Sequence, residues 1–316
     1  MAYRTVAFRA LNPDHRTMRW LFALCLALVL LHPATAAGIR GVTEEPAAHI
    51  GGVPVSVWTY PSDDLRVKGL LFLPRAKGKL PLVLFNHDGV SGISKQHMRT
   101  CARLAQAGYA VFAPSYRGED GSEGAIEVGA GEVRDVLNVL PLLAQIPNID
   151  GRRVALVGLS HGALISVLAA GQQPEVDAVV AVDGVMDIYG WWRYLREAGK
   201  LGHDDLTRRI FGTGPEHVPH AFSSRHALAQ IPRLTAPVLI LKGGQDDIVP
   251  VEQAFTFKTA ADRSGVIVTL KIYPHCRHGF LVYVPYIKGS VMPAERAETK
   301  LAWQDLLVFL KKHLKS

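Results

Sequence analysis

An α/β fold with a mostly parallel sheet and helices on both faces is predicted by three features of this chain. Short, unbroken apolar runs such as Leu82-Val83-Leu84-Phe85 and Val238-Leu239-Ile240-Leu241 alternate with stretches whose apolar residues recur at helical spacing. The inner runs lack the polar alternation of a half-exposed strand, as expected where both faces of a sheet are covered. One such run, Val154-Ala155-Leu156-Val157, passes through Gly158-Leu159-Ser160-His161-Gly162 directly into the helix-compatible stretch 163–170.

Taken in order, 53–60 and 67–73 read as an N-terminal antiparallel hairpin around Pro61-Ser62-Asp63-Asp64. Strand 82–85, a helix over 95–107 and strand 109–113 follow. A helix over 131–145 carries Val133, Val136, Leu137, Leu140 and Leu143 on one face. Pro141 inside it should kink the helix or end it early. After the strand–turn–helix unit come strand 178–182, strand 238–241, a helix over 251–261, strand 266–273 and a final helix over 294–314. The stretch 186–233 breaks the alternation. It holds Trp191, Trp192, Tyr194, Phe211 and Phe222 among many charges and reads as a small helical insertion. Placed after a sheet strand, it is expected to sit over the carboxyl edge as a lid or pocket wall, because open α/β sheets bind ligands there.

The 316 residues are 48% hydrophobic and 20% charged, an ordinary globular composition. The net charge is +7, but Arg4, Arg9, Arg16 and Arg19 against Asp14 place three of those charges in the first 37 residues. The remainder has no long basic run, so a nucleic-acid partner has little support. Residues 1–37 read as a secretory signal: Arg16 and Arg19, the apolar run 21–31, then Pro33-Ala34-Thr35-Ala36-Ala37. The run is short of the roughly 20 apolar residues that a membrane span needs. Met18 offers an alternative start. The expectation is a secreted or periplasmic domain over 38–316 with no stable membrane span. Cys25 lies in the signal, and the two remaining cysteines, Cys101 and Cys276, either pair or stay as buried thiols.

The Gly-x-Ser-x-Gly pentapeptide between strand and helix has the context of a nucleophile elbow at Ser160. A serine hydroxyl attacks only when a base takes its proton and a third group orients that base. Two loops at strand ends carry candidates. One holds Asp246 and Asp247, the other His275 and His278, and Asp183 follows its own strand. The backbone N–H of His161, at a helix start, is placed to stabilise an oxyanion. The scattered His and Cys lack metal-ligand spacing, and no cofactor is expected.

On SYRGEDGSEG (115–124), GEVRDV (131–136), VALVGLSHG (154–162), LILKGGQDDIVP (239–250) and YPHCRHGF (273–280), the chain over 80–314 resembles an α/β-hydrolase. It is most similar to the catalytic domain of the prolyl oligopeptidase family and its dienelactone-hydrolase-like relatives. The resemblance implies Asp246 as acid, His278 as base, and the Gly89 amide as second oxyanion donor. Two departures stand out: Asp88 occupies a usual glycine position beside Gly89, and that loop has no tyrosine donor. The stretch ahead of residue 80 is also too short for the β-propeller of those peptidases. A carboxylic esterase acting on a small ester is therefore expected. A peptidase or amidase taking a short peptide is the alternative on the same triad. A non-catalytic binding protein would have lost the serine, acid or histidine, and all three are present. Trp191, Trp192, Tyr194 and Phe222 are the candidate substrate-pocket residues. Oligomeric state is not readable.

Overall fold

The computed structural model describes residues 38–202, 207–208, 211–212 and 214–314. The signal expectation for 1–37, Cys25 included, lies outside them. Among the described residues nine strands form one sheet: β1 Thr43–Ile50, β2 Val53–Ser62, β3 Leu65–Phe72, β4 Leu80–Asn86, β5 Ala110–Pro114, β6 Ile149–Leu159, β7 Ala178–Val182, β8 Val238–Gly243 and β9 Val268–Tyr273. Their spatial order is β1-β2-β3-β5-β4-β6-β7-β8-β9. The β1–β2, β2–β3 and β3–β5 pairs are antiparallel, and every pair from β5 through β9 is parallel. This is the α/β-hydrolase fold, entered through an antiparallel hairpin.

Strand periodicity explains the unbroken apolar runs. In β4, Leu82 and Leu84 enter one core while Val83 and Phe85 enter the other. The same division places Val179 and Ala181 opposite Val180 and Val182 in β7, and Ile240 opposite Leu239 and Leu241 in β8. The first core is covered by α2 Gly131–Leu143, α3 His161–Ala170 and α6 Glu252–Arg263. The second is covered by α1 Lys95–Gln106 and α8 Pro293–Leu314, through Cys101, Leu104, Trp303, Leu306 and Leu310. Among the described residues, no helix is long and apolar enough to cross a membrane.

Three details differ from the sequence expectations. Strand β1 was not expected: its TEEPAAHI is mostly exposed, has no apolar alternation, and contains Pro46 beside a register shift, a residue tolerated at a sheet edge. The helix containing Pro141 ends at Leu143, two residues short of the predicted end. A short helix, α7 Phe280–Tyr283, follows directly on the His278-Gly279 turn. Cys101 and Cys276 are both buried and unpaired, which decides that question in favour of free thiols. Burial pushes the Cys276 thiol up to about 12.

Two motifs of the resemblance are structural. The Arg117 guanidinium meets Asp135 at 2.8 Å, with both side chains buried, and also reaches Asp63 at 2.9 Å. Ser62 donates to Asp135 at 2.6 Å, so hairpin, loop and α2 are bolted together. Glu132 accepts from the backbone N–H groups of residues 127–130 at 2.7 to 3.1 Å, which folds the loop leading into α2 back onto the helix's first turn.

The insertion has its own small core. Among the described residues it contains α4 Ile188–Glu197, α5 Pro219–Ser223 and a 3₁₀ turn Ala227–Arg233. Trp191, Trp192, Phe211 and Phe222 pack on one another with Val128 and Val249 from the body.

Candidate active site

Because β4 and β6 to β9 run parallel, their carboxyl ends share one edge of the sheet, and Gly89, Ser160, Asp246 and His278 all follow strands at that edge. Ser160 joins β6 to α3 with φ 53° and ψ −114°, a strained backbone for a residue with a side chain. Its flanking glycines are required by contact. A Cβ at Gly158 would stand 2.1 Å from the Gly162 carbonyl oxygen, and one at Gly162 would stand 2.0 Å from that of Asn86. The turn is tight, and the strain is held by the strand and helix that clamp it. α3 begins at His161, so the first N–H groups after the serine have no carbonyl partner within the helix.

The structure brings Asp246 and His278 together. His278 donates from Nδ1 to Asp246 Oδ2 at 2.7 Å, which leaves Nε2 of the neutral ring as the proton acceptor. Asp246 Oδ1 accepts from the N–H groups of Ile248 and Val249, each at 2.9 Å. The loop carrying His278 lies against the elbow, since a Cβ at Gly279 would come within 3.9 Å of Leu159 Cδ2. Burial pushes the Asp246 carboxyl up, but the hydrogen bond and charge of His278 and the Lys242 ammonium outweigh it and hold the group below its usual range. Burial likewise opposes the imidazolium of His278, and the hydrogen bond to Asp246 with the charges of Asp183 and Asp246 raises it above an ordinary imidazole.

The rival residues point elsewhere. Asp247 is exposed, and its carbonyl accepts from Tyr194 Oη at 2.7 Å. His275 is half-exposed and pairs with Glu298 at 2.6 Å. Asp183 is fully buried behind the acid, where it accepts from Gly243 N and Gly279 N, each at 2.9 Å, and from Lys242 Nζ at 3.1 Å. Lys242 also donates to Asp246 Oδ2. Ligand atoms of Asp183, Asp246 and His278 lie within 4.8 Å of one another, close enough to hold a metal ion. Here the Lys242 ammonium stands among them, and a second cation there would meet its repulsion.

Sequence reasoning missed this lysine. Its only signal was a charged residue closing an otherwise apolar strand.

His161 and Gly89, the two candidate oxyanion donors, are also brought together. The His161 ring donates from Nδ1 to the Gly89 carbonyl oxygen at 3.0 Å. Burial keeps that ring neutral by lowering its pKa. Asn86 fixes the same loop to the elbow helix, donating to Ser166 Oγ at 2.8 Å, while Ser166 donates to the Gly162 carbonyl at 2.8 Å. The Asp88 carboxylate is engaged by other groups: it accepts from His97 Nε2 at 2.6 Å and from Tyr283 Oη at 2.8 Å. Ser94 N donates to His97 Nδ1 at 3.0 Å, which fixes the tautomer with the proton on Nε2. Asp88 therefore ties the loop after β4 to α1 and to the helix that follows His278. Burial pushes Asp88 up, and the hydrogen bonds from His97 and Tyr283 more than offset it, so its pKa is lowered.

Of the four pocket candidates, Trp191, Trp192 and Phe222 pack inside the insertion, while Tyr194 is half-buried and lines a cavity with Asp187, Arg193 and Gln253. Phe222 is fully buried against Tyr189, Trp192 and Phe211. Trp192 carries the Arg196 guanidinium on its face at 4.5 Å. Trp191 donates to the Ile248 carbonyl at 2.9 Å and, with Tyr194, straps the insertion to the loop bearing Asp246. On the other side, Arg225 holds the carbonyls of Glu127 and Val128.

A family model described as the Dienelactone hydrolase family matches residues 67–314. This chain belongs to that family. The Bacillus subtilis (strain 168) protein named uncharacterized peptidase YtmA is 28% identical over 197 residues, covering 62% of this chain and 75% of that protein. The acylamino-acid-releasing enzyme of Mus musculus is 29% identical over 235 residues, covering 68% of this chain. The chain spans 31% of that enzyme's length. Among solved structures, an acylaminoacyl peptidase from Pyrococcus horikoshii superposes with a TM-score of 0.69 at 19% identity, covering 87% of this chain and 42% of that one. Acetyl xylan esterase 1 from Thermoanaerobacterium sp. superposes with a TM-score of 0.64 at 18% identity, covering 85% and 87% of the two chains. This dienelactone hydrolase family member is an enzyme, a serine hydrolase with the α/β-hydrolase fold.

Proposed function

We propose that this chain cleaves carboxylic esters through an acyl-enzyme, with Ser160 as nucleophile, His278 as general base and Asp246 as the residue that orients it. The observation that carries the reading is the 2.7 Å Asp246–His278 hydrogen bond on the same sheet edge as a serine with φ 53°. Ser160 Oγ bonds to the substrate carbonyl carbon as its proton passes to His278 Nε2, and the carbonyl electron pair moves onto oxygen. The N–H groups of His161 and Gly89 stabilise that oxyanion. The imidazolium returns the proton to the leaving alcohol as the tetrahedral adduct collapses. Water then repeats the sequence on the acyl-enzyme.

A base and two N–H donors suffice for an ester, whose leaving alkoxide needs less protonation than an amine. A peptidase on the same residues is the second reading, and the relatives named as peptidases favour it. We also propose export to the periplasm or outside the cell, on the apolar run and Ala-rich end of residues 1–37. A fluorophosphonate probe is expected to label wild type and not Ser160→Ala. p-Nitrophenyl esters are expected to turn over faster than chromogenic dipeptide amides. Absence of any adduct on wild type overturns the catalytic reading, and faster amide turnover reverses the order of the two substrates.

A further inference from the structure

Behind the acid and base lies a second pair of opposite charges that the mechanism above does not use. Asp183 and Lys242 are both buried, and Lys242 Nζ donates to Asp183 Oδ1 and also to Asp246 Oδ2, the oxygen that receives His278. Burial and the Asp246 charge push the Asp183 carboxyl up, but three N–H donors and, among the described residues, no acceptor face it, the environment of an ionised group. One of them is the N–H of Gly279, so Asp183 also holds the peptide next to the base. Asp183 itself has φ 48°, a strained backbone that places its side chain back under the loops of β8 and β9.

We propose that Asp183 and Lys242 are positioning residues for the base: a charge-compensated pair that sets how readily His278 takes the proton of Ser160. The proposal rests on the triad reading above. With both carboxylates ionised, Lys242 cationic and His278 neutral, the cluster carries one negative charge, which the Ser160 proton neutralises as it arrives on Nε2. Asp183 favours that imidazolium. Lys242 opposes it and competes with His278 for Asp246 Oδ2. Each charge alone biases the base, and together they offset. The remaining charged neighbours are turned away. On its own loop, His275 pairs with Glu298 and Arg277 with Glu295; from α7, Tyr283 donates to Asp88; across the site, Asp247 is exposed beside Lys200. Asp183 and Lys242, with Asp246, are thus the charges that face His278 from the ends of β7 and β8.

The test is the acid limb of kcat/KM against pH on a p-nitrophenyl ester, for wild type, Asp183→Asn, Lys242→Met and the double variant. Asp183→Asn leaves Lys242 unbalanced and is expected to move the limb down by about one pH unit. Lys242→Met leaves two carboxylates around the ring and is expected to move it up by about the same amount. The double variant is expected to return the limb toward its wild-type position. If Lys242→Met does not fold, a limb that falls in Asp183→Asn and recovers in the double variant carries the test. Single variants whose limbs shift in the same direction, or not at all, overturn the proposal, as does a double variant that fails to restore the limb. Ser160→Ala separates the two readings: turnover surviving in it removes the triad itself. Ser160 labelled in wild type without any acid limb removes the pair's role and leaves the nucleophile in place.

Discussion

The His161 ring donates to the Gly89 carbonyl at 3.0 Å, so the residue after Ser160 grips the loop that carries the proposed second oxyanion donor. His161 thus has two separable parts, a backbone N–H that no substitution except proline removes and a ring that places its partner. His161→Ala should keep the first and free the second. We expect kcat to fall roughly tenfold to a hundredfold, below the full loss for deleting an oxyanion donor, with KM changed little. His161→Asn, whose amide can donate to the same carbonyl, should recover part of the loss. Equal losses in both variants would set aside the loop-placing role.

Asp88 replaces an expected small residue beside that loop, and its carboxylate is taken up by two donors. Turned toward His97 and Tyr283, it joins the loop to α1 and α7. Asp88→Asn replaces these charge-assisted bonds and should lower stability by about 1.5–3 kcal/mol in urea titrations. Its lowered pKa gives that loss a sign in pH. The contribution is full above the unfolded carboxyl value of about 4 and is lost as pH falls through the lower folded value. The gap between wild type and Asp88→Asn should therefore narrow in acid, and a gap that widens there would exclude the ionic account.

The base gives the activity its own pH dependence. Burial disfavours the imidazolium, but Asp246 and the nearby Asp183 charge outweigh it, so the ring titrates above an ordinary histidine. Only the neutral ring accepts the Ser160 proton, and activity should fall as pH drops through that raised value. The acid limb of kcat/KM is expected above about 6.5. Asp246→Asn should lower kcat by about 10⁴-fold and move the limb down. A limb below the ordinary imidazole value would mean that His278 is not the base.

What the sequence disclosed follows from which interactions are local. Strand, elbow and helix around Ser160 were legible because apolar period and a five-residue glycine pattern are properties of neighbouring residues. Asp246 and His278 required a family resemblance, since their 32-residue separation closes only in the fold. Lys242 and Asp183, 59 residues apart, left no such pattern. The aromatic residues of the insertion were visible as a cluster, but a cluster has the same composition whether it lines a pocket or packs on itself. In the fold Trp191, Trp192, Phe211 and Phe222 pack on one another, and Tyr194 lines a cavity.

Arg117 and Asp135 illustrate the same limit, being recognisable as motif residues without a visible purpose. Their buried bond at 2.8 Å fixes the hairpin and α2 to the loop between them. Arg117→Met strands a buried carboxylate and should cost about 3–5 kcal/mol. Arg117→Met with Asp135→Leu removes both charges and should recover much of that loss in thermal melts. A double variant less stable than the single one would show that packing of the guanidinium, not its charge, is what the site needs.

The glycines of the elbow differ from Gly89 in the reason they cannot be replaced, and stability separates the two. At Gly162 a methyl group would collide with the Asn86 carbonyl at 2.0 Å and the His87 carbonyl at 2.5 Å, and at Gly158 with the Gly162 carbonyl at 2.1 Å. All of these are backbone atoms, so relief requires β4, β6 and α3 to move apart. Gly158→Ala and Gly162→Ala should each lose about 3 kcal/mol or more, the upper range for overpacking, and give little folded protein. At Gly89 a methyl group meets nothing within 4 Å, and only its φ of +68° opposes substitution. Gly89→Ala should therefore lose about 1–2 kcal/mol and fold normally. With its amide as the proposed second oxyanion donor, any loss of kcat beyond that of stability reads out the loop's backbone angle directly. Thermal melts that rank Gly89→Ala below Gly162→Ala would reverse this account of the turn.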